Sequence, residues 1–137
     1  MKVLFDTNVI IDALTDRVEN YNYSQKLLLL VANEKIEGYI SCKQITDIYY
    51  IIRKHFNEKQ RRFAINTLLN TFNILPLFPS DIKYCINSQI SDYEDAILDE
   101  SAKVNMIPYI VTNNIKDFEH AKVITISPKE LYILINL

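Results

Sequence analysis

Val3-Leu4-Phe5-Asp6-Thr7-Asn8 decides how the rest of the chain is read. An unbroken apolar run at the very start has the character of a strand buried on both faces of a parallel sheet. The change to Asp-Thr-Asn is its polar stop. The same design returns at Tyr109-Ile110-Val111-Thr112, followed by Asn113-Asn114. In open α/β sheets ligands bind outside the carboxyl ends of such strands, so acids placed there are candidate site residues.

Outward from these two runs, strands and helices alternate. Helical spacing is expected over residues 8–14 and 23–33, and Gly38, the only glycine, introduces a strand to Ser41. Ile45, Ile48, Tyr49 and Ile52 then mark a helix over 43–54, followed by another over 58–71. A third strand is expected over 73–77, closed by Pro79. Ser80 and Asp81 suit the cap of a helix running to about Gln89, and Ser91 or Asp92 the cap of the next, to Asn105. Strands over 109–112 and 123–126 and a last helix opened by Ser127-Pro128 complete the pattern. The expected fold is α/β: a three-layer α/β/α sandwich with a mostly parallel central sheet of about five strands.

The 137 residues suit one domain, 1–137, and 49% hydrophobic with 23% charged residues is a globular balance. No apolar run reaches the roughly 18 residues of a membrane span, and no signal-peptide pattern opens the chain, so a cytoplasmic protein without membrane contact is expected. Cys42 and Cys85 lack metal-ligand spacing and read as small buried hydrophobes.

The acids divide into ordinary and unusual ones. Asp6 can cap the following helix, and Asp12 reads as part of a solvated face. Asp47 lies among isoleucines and tyrosines that suggest burial. It therefore needs a partner: Lys54, two turns away, a donor network or a metal ion. Asp92, Asp95 and Asp99 share one side of a helix, where the macrodipole already favours acids; Glu94 and Asp99 need nothing more. Asp117 follows the 109–112 strand, with Thr112, Asn113 and Asn114 adding polar groups at the same sheet edge.

Carboxylates gathered at one edge raise one another's pKa, a conflict that a divalent cation relieves. Oxygen ligands point to Mg²⁺ or Mn²⁺ rather than zinc, because His55 and His120 form no ligand pair with a cysteine. The natural chemistry of such a site is in-line attack of activated water on a phosphodiester, with Thr7, Asn8 and Asn114 orienting water or phosphate.

F-D-T-N-V-I-I-D (5–12), T-D-I-Y-Y (46–50), D-Y-E-D-A-I (92–97) and Y-I-V-T-N-N-I-K-D-F (109–118) resemble, in order and spacing, the successive motifs of the PIN-domain family, especially its VapC-like toxin ribonucleases. The resemblance implies a Mg²⁺- or Mn²⁺-dependent endoribonuclease acting on single-stranded or structured RNA, a cognate antitoxin protein as partner, and a homodimer. It places the catalytic, metal-holding acids on Asp6, Asp47, Asp95 and Asp117. Asp92 is an accessory, with Thr112 and Asn114 as polar supports. Two positions depart from the family pattern: Asp47 is one methylene shorter than the usual glutamate, and Asn114 stands where many relatives carry aspartate. A PIN-like domain that binds RNA or protein without cutting is the alternative.

With a net charge of −2, RNA affinity has to come from a local patch. Arg53, Lys54, Lys59, Arg61 and Arg62 stand against one acid, Glu58, and interleave with His55 and Phe56, which suits backbone tracking. Two other acid-bearing classes fit less well. A phosphoacceptor receiver needs an aspartate ending its third strand, where this chain has Ile74-Leu75-Pro76-Leu77. A haloacid-dehalogenase-like phosphatase needs a second aspartate two residues after the first, where Asn8 stands.

Overall fold

The computed structural model describes residues 1–15 and 21–137. Its strands are β1 (Lys2–Phe5), β2 (Glu37–Ser41), β3 (Asn73–Leu75), β4 (Tyr109–Val111) and β5 (Ile124–Ile126). Every pairing is parallel, in the order β3-β2-β1-β4-β5. The helices are α1 (Thr7–Thr15), α2 (Tyr21–Ala32), α3 (Cys42–Ile51), α4 (Glu58–Thr71), α5 (Pro79–Tyr84), α6 (Tyr93–Val104) and α7 (Pro128–Ile135). Single 3₁₀ turns lie at Ile52–Lys54, Cys85–Asn87 and Ile115–Phe118.

Alternation along β1 splits the core. Val3 and Phe5 pack with Val9, Ile10, Leu27, Ile48, Leu68 and Leu131, from α1, α2, α3, α4 and α7. Leu4 faces the other way, onto Leu98 and Ala102 of α6, with Ile110 and Phe118. The three layers expected from the sequence are therefore present. Gly38 is required by packing rather than by backbone freedom, because a Cβ there would lie 2.8 Å from the Phe72 ring and from Val31 Cγ1. Phe72 in turn meets Phe5 edge-on at 5.0 Å. With no second glycine, two turns among the described residues take the left-handed conformation on side-chain-bearing residues, Glu34 (φ 58°) and Met106 (φ 56°).

Several boundaries differ from expectation for identifiable reasons. β3 stops at Leu75 because β2 ends at Ser41, its register partner, leaving Pro76-Leu77 without a ladder. The helix expected to run to Gln89 is only α5 and a 3₁₀ turn. It begins two residues earlier than Ser80 suggests, with Pro79 at its first position and Asp81 accepting from the Phe78 N–H at 3.2 Å. Cys85 is buried as expected, but Cys42, at the start of α3, is exposed.

Candidate metal centre and acidic cleft

Order reversal in the sheet falls at β1, whose neighbours β2 and β4 come from opposite halves of the chain. The carboxyl ends of β1 and β4 thus form a switch point, where an open α/β sheet offers a crevice. Asp6 occupies it. Its N–H continues the ladder to Val111 O at 2.9 Å, and its carbonyl accepts from Val9 and Ile10 at the start of α1. Its carboxylate is buried and accepts from the Thr7 N–H at 2.8 Å and the Thr112 hydroxyl at 2.7 Å. Thr112, wholly buried, is itself held by the Asn114 N–H at 3.0 Å. The side chain therefore caps α1 only through its own first amide; its second oxygen is committed across the sheet.

The crevice opens into a cleft of about 420 Å³ lined by Asp6, Thr7, Asn8, Ser41, Lys43, Gln44, Asp47, Tyr50, Asp92, Glu94, Asp95, Asn114 and Asp117, among others. Asp92 is the N-cap of α6, accepting from the Asp95 N–H at 3.0 Å, which sets Asp95 in the first turn facing the cleft. Asp117 comes from the 3₁₀ turn after β4 and is exposed. Burial holds the Asp6 carboxyl above the usual carboxylate range. The Thr112 and Thr7 hydrogen bonds oppose that shift, and Asp117 and Asp92 add to it. Asp95 is pushed up to about 7, by burial first and then by Asp6, Asp92, Asp117 and Glu94.

The α3 wall is built by a capping box. The Ser41 hydroxyl accepts from the Lys43 N–H at 3.3 Å, and the Gln44 side-chain oxygen accepts from the Ser41 N–H at 2.8 Å. The Gln44 amide nitrogen then donates to Phe5 O at 2.8 Å and to Thr7 Oγ1 at 3.1 Å, locking α3 onto the end of β1. Gln44 is buried and was not singled out from sequence, although Ser41 followed three residues later by Gln44 carries the signal.

Asp47 lines the cleft but not in the setting expected of it. It is part-exposed, and its partner is Lys43, one turn back at 2.6 Å, not Lys54. Lys43 also approaches Glu94 of α6 at 3.3 Å. Partial burial pulls the Lys43 ammonium down, but Asp47 and Glu94 outweigh it and hold the pKa above the ordinary value. Glu94 thus has a partner across the cleft, beyond the helix dipole. Two further acids depart from expectation. Asp12 is buried, not solvated, and accepts from the Asn113 side-chain amide at 2.7 Å. Asp99, one turn beyond Asp95 on α6, is buried and accepts from the Lys122 N–H at 2.9 Å and the Val123 N–H at 3.2 Å, so it holds more than a favourable place in the helix dipole.

None of the five basic residues of the 53–62 segment lines the cleft. Arg53 stacks on Tyr50 at 3.7 Å and donates to its carbonyl, and Arg61 stacks on Tyr49 at 4.3 Å. Arg62 pairs with Glu58 at 2.8 Å and borders an apolar groove between α3 and α4; Lys54 and Lys59 are exposed.

Among the described residues, no three His, Cys, Asp or Glu side chains stand close enough to form a finished metal-binding group. The donor chemistry nonetheless suits a hard divalent cation: oxygen ligands only, with burial first and then like-charge crowding raising Asp6 and Asp95. Mg²⁺ needs only one or two protein carboxylates and fills its remaining positions with water and phosphate.

A parallel α/β/α domain with an acidic crevice at its switch point defines a class, and comparison with known proteins identifies which. Residues 2–116 match the PIN domain model. The chain belongs to the PIN-domain family. Ribonuclease VapC1 of Aquifex aeolicus (strain VF5) is 26% identical over 118 residues, covering 82% of this chain and 81% of that protein. Among solved structures, VapBC2 from Rickettsia felis bound to a promoter DNA fragment superposes with a TM-score of 0.69 at 20% identity, over 93% of this chain and 98% of that one. A toxin-antitoxin complex from Klebsiella pneumoniae gives 0.67 at 24% identity, over 92% and 97%. At these identities the structural likeness establishes the fold.

Proposed function

We propose that this protein is a Mg²⁺- or Mn²⁺-dependent endoribonuclease of the VapC type, the toxin of a toxin-antitoxin pair acting in the cytoplasm. The observation that carries the reading is the placing of Asp6, fixed at the end of β1, in one cleft with Asp95, whose carboxyl is lifted to about 7 by burial first and then by the acids around it. Such a pair is poised to exchange protons for a cation. The relative named as a ribonuclease and the fold shared with toxin-antitoxin complexes point the same way.

In this reading Asp6, Asp95 and Asp117 hold the cation, with Asp47 at the outer edge and Asp92 setting the first turn of α6. The cation would supply charge neutralisation at the phosphate and a nucleophilic water. Thr112 fixes the rotamer of Asp6, while Thr7, Asn8 and Asn114 orient the phosphate or the attacking water. Arg53, Lys54, Lys59, Arg61 and Arg62 track the RNA backbone away from the cleft. An antitoxin would block the cleft in the resting cell, and the toxin would act as a homodimer.

Incubated with single-stranded RNA and Mn²⁺, the protein is expected to cut internally, to leave 5′-phosphate ends and to stop in EDTA. Asp6→Asn and Asp95→Asn should each abolish cutting and Mn²⁺-dependent thermal stabilisation without unfolding the apo protein. A 2′,3′-cyclic phosphate product, or cutting that persists in EDTA, defeats the mechanism. Lack of any Mn²⁺-dependent stabilisation would favour a PIN domain that binds without cutting, a reading to which the Lys43–Asp47 pair lends weight.

A further inference from the structure

Lys43 is the one cationic side chain among the described residues lining the acidic cleft. Its ammonium lies between the two walls, 2.6 Å from Asp47 on its own helix α3 and 3.3 Å from Glu94 on α6. Among the described residues, no such cation pairs with the inner acids Asp6, Asp92, Asp95 and Asp117. One ammonium therefore serves two outer carboxylates, and the pairings are solvent-accessible: Asp47 is 40% and Glu94 70% exposed at the side chain. A lysine head is a compact point charge on a flexible stem, with three donors and no preferred fork geometry, so it changes partners at low cost.

Entry of an RNA phosphate changes the balance at this position. The phosphate is repelled by every acid in the cleft and attracted by Lys43. Moving the ammonium from Asp47 and Glu94 to a phosphate oxygen leaves those two carboxylates uncompensated, next to a site already crowded with negative charge. That is the condition under which a divalent cation binds best. On the reading given under Proposed function, we propose that Lys43 is an exchangeable counter-ion. It occupies Asp47 and Glu94 until the phosphate of single-stranded RNA takes it, so that divalent cation and RNA each favour the other's binding. The coupling is reciprocal, as linkage requires. Lys43 is thus a positioning residue for substrate and a competitor for metal.

The test uses the full chain and two probes, separately. With Mn²⁺ alone, followed by isothermal titration, Lys43→Met is expected to bind about fivefold more tightly than wild type, the scale of a part-exposed ion pair. With a single-stranded RNA oligonucleotide in EDTA, followed by anisotropy, Lys43→Met is expected to bind about fivefold more weakly and with a shallower salt dependence. Glu94→Gln, which leaves the ammonium one competitor fewer, should bind the RNA more tightly than wild type. Lys43→Arg, which keeps the charge, should stay close to wild type with both probes. Opposite signs for Lys43→Met with the two probes cannot come from a general loss of structure. Equal Mn²⁺ affinity in wild type and Lys43→Met overturns this inference and leaves the proposed metal site standing. Absence of Mn²⁺ binding in both proteins overturns the two together. Binding in Lys43→Met but not in wild type supports the inference in its strongest form.

Discussion

Asp95 and Asp99 sit one turn apart on α6 and have opposite fates. Asp99 is the more buried, yet the backbone N–H groups of Lys122 and Val123 meet its carboxylate and make it a clamp between α6 and the chain entering β5. Among the described residues no donor reaches the Asp95 carboxyl. Around it stand Asp6, Asp92, Asp117 and Glu94. Burial alone therefore does not mark a site. What separates a structural acid from a candidate ligand is whether neutral donors or other negative charges surround it.

Removing Asp99 should have the largest effect. Asp99→Ala leaves two backbone N–H groups without their acceptor and is expected to cost about 3 kcal/mol in chemical denaturation, with no change in Mn²⁺ affinity. A cost near zero would break the comparison at its structural end. Thr112→Val, which strips the donor from Asp6 without changing shape, comes next at about 2 kcal/mol, whereas Thr112→Ser should be close to neutral.

Asp95→Asn should act with the opposite sign. Because the folded carboxyl titrates near 7 while an unfolded aspartate titrates near 3.8, the folded state holds its proton longer. The stability this gives is fully present below pH 4 and lost as pH rises through 7. Above pH 7, apo Asp95→Asn should therefore be the more stable protein by about 1 kcal/mol, a figure reduced for solvent screening in an open cleft, with the gain shrinking towards pH 4. A pH-independent difference would show that the Asp95 carboxyl is not raised in the folded state. Smallest of all, Asp47→Asn should cost about 0.5 kcal/mol by removing the Lys43 pair, measured as a slight fall in Tm. A gain in stability would mean that the pocket's repulsion outweighs that pair.

Much of the fold was legible because strand and helix periodicities alternate cleanly from Val3 to Ile135, and apolar runs ending in Asp-Thr-Asn or Thr-Asn-Asn mark the carboxyl edge of the sheet. Asp6, Asp92, Asp95 and Asp117 could be placed near one another for the same reason. Strand length could not be read from one segment, since β3 ends where its partner β2 does. Nor could the states of Asp12, Asp47 and Asp99, because each depends on a group elsewhere: Asn113, the Lys43 rotamer shared with Glu94, and the backbone at 122–123. Local patterns announce an acid; only the assembled neighbours decide whether it is neutralised.

The hydrogen bond from Thr112 to Asp6 joins residues 106 positions apart in sequence. On the ribosome the aspartate is made well before both the acids of α6 and the hydroxyl that orients it. β1, β2 and β3 can pair while the crevice is still missing one side, because β4 slots in beside β1 only after they have been made. For a protein whose proposed activity destroys RNA, that order of assembly withholds the site until β4 has been made and paired.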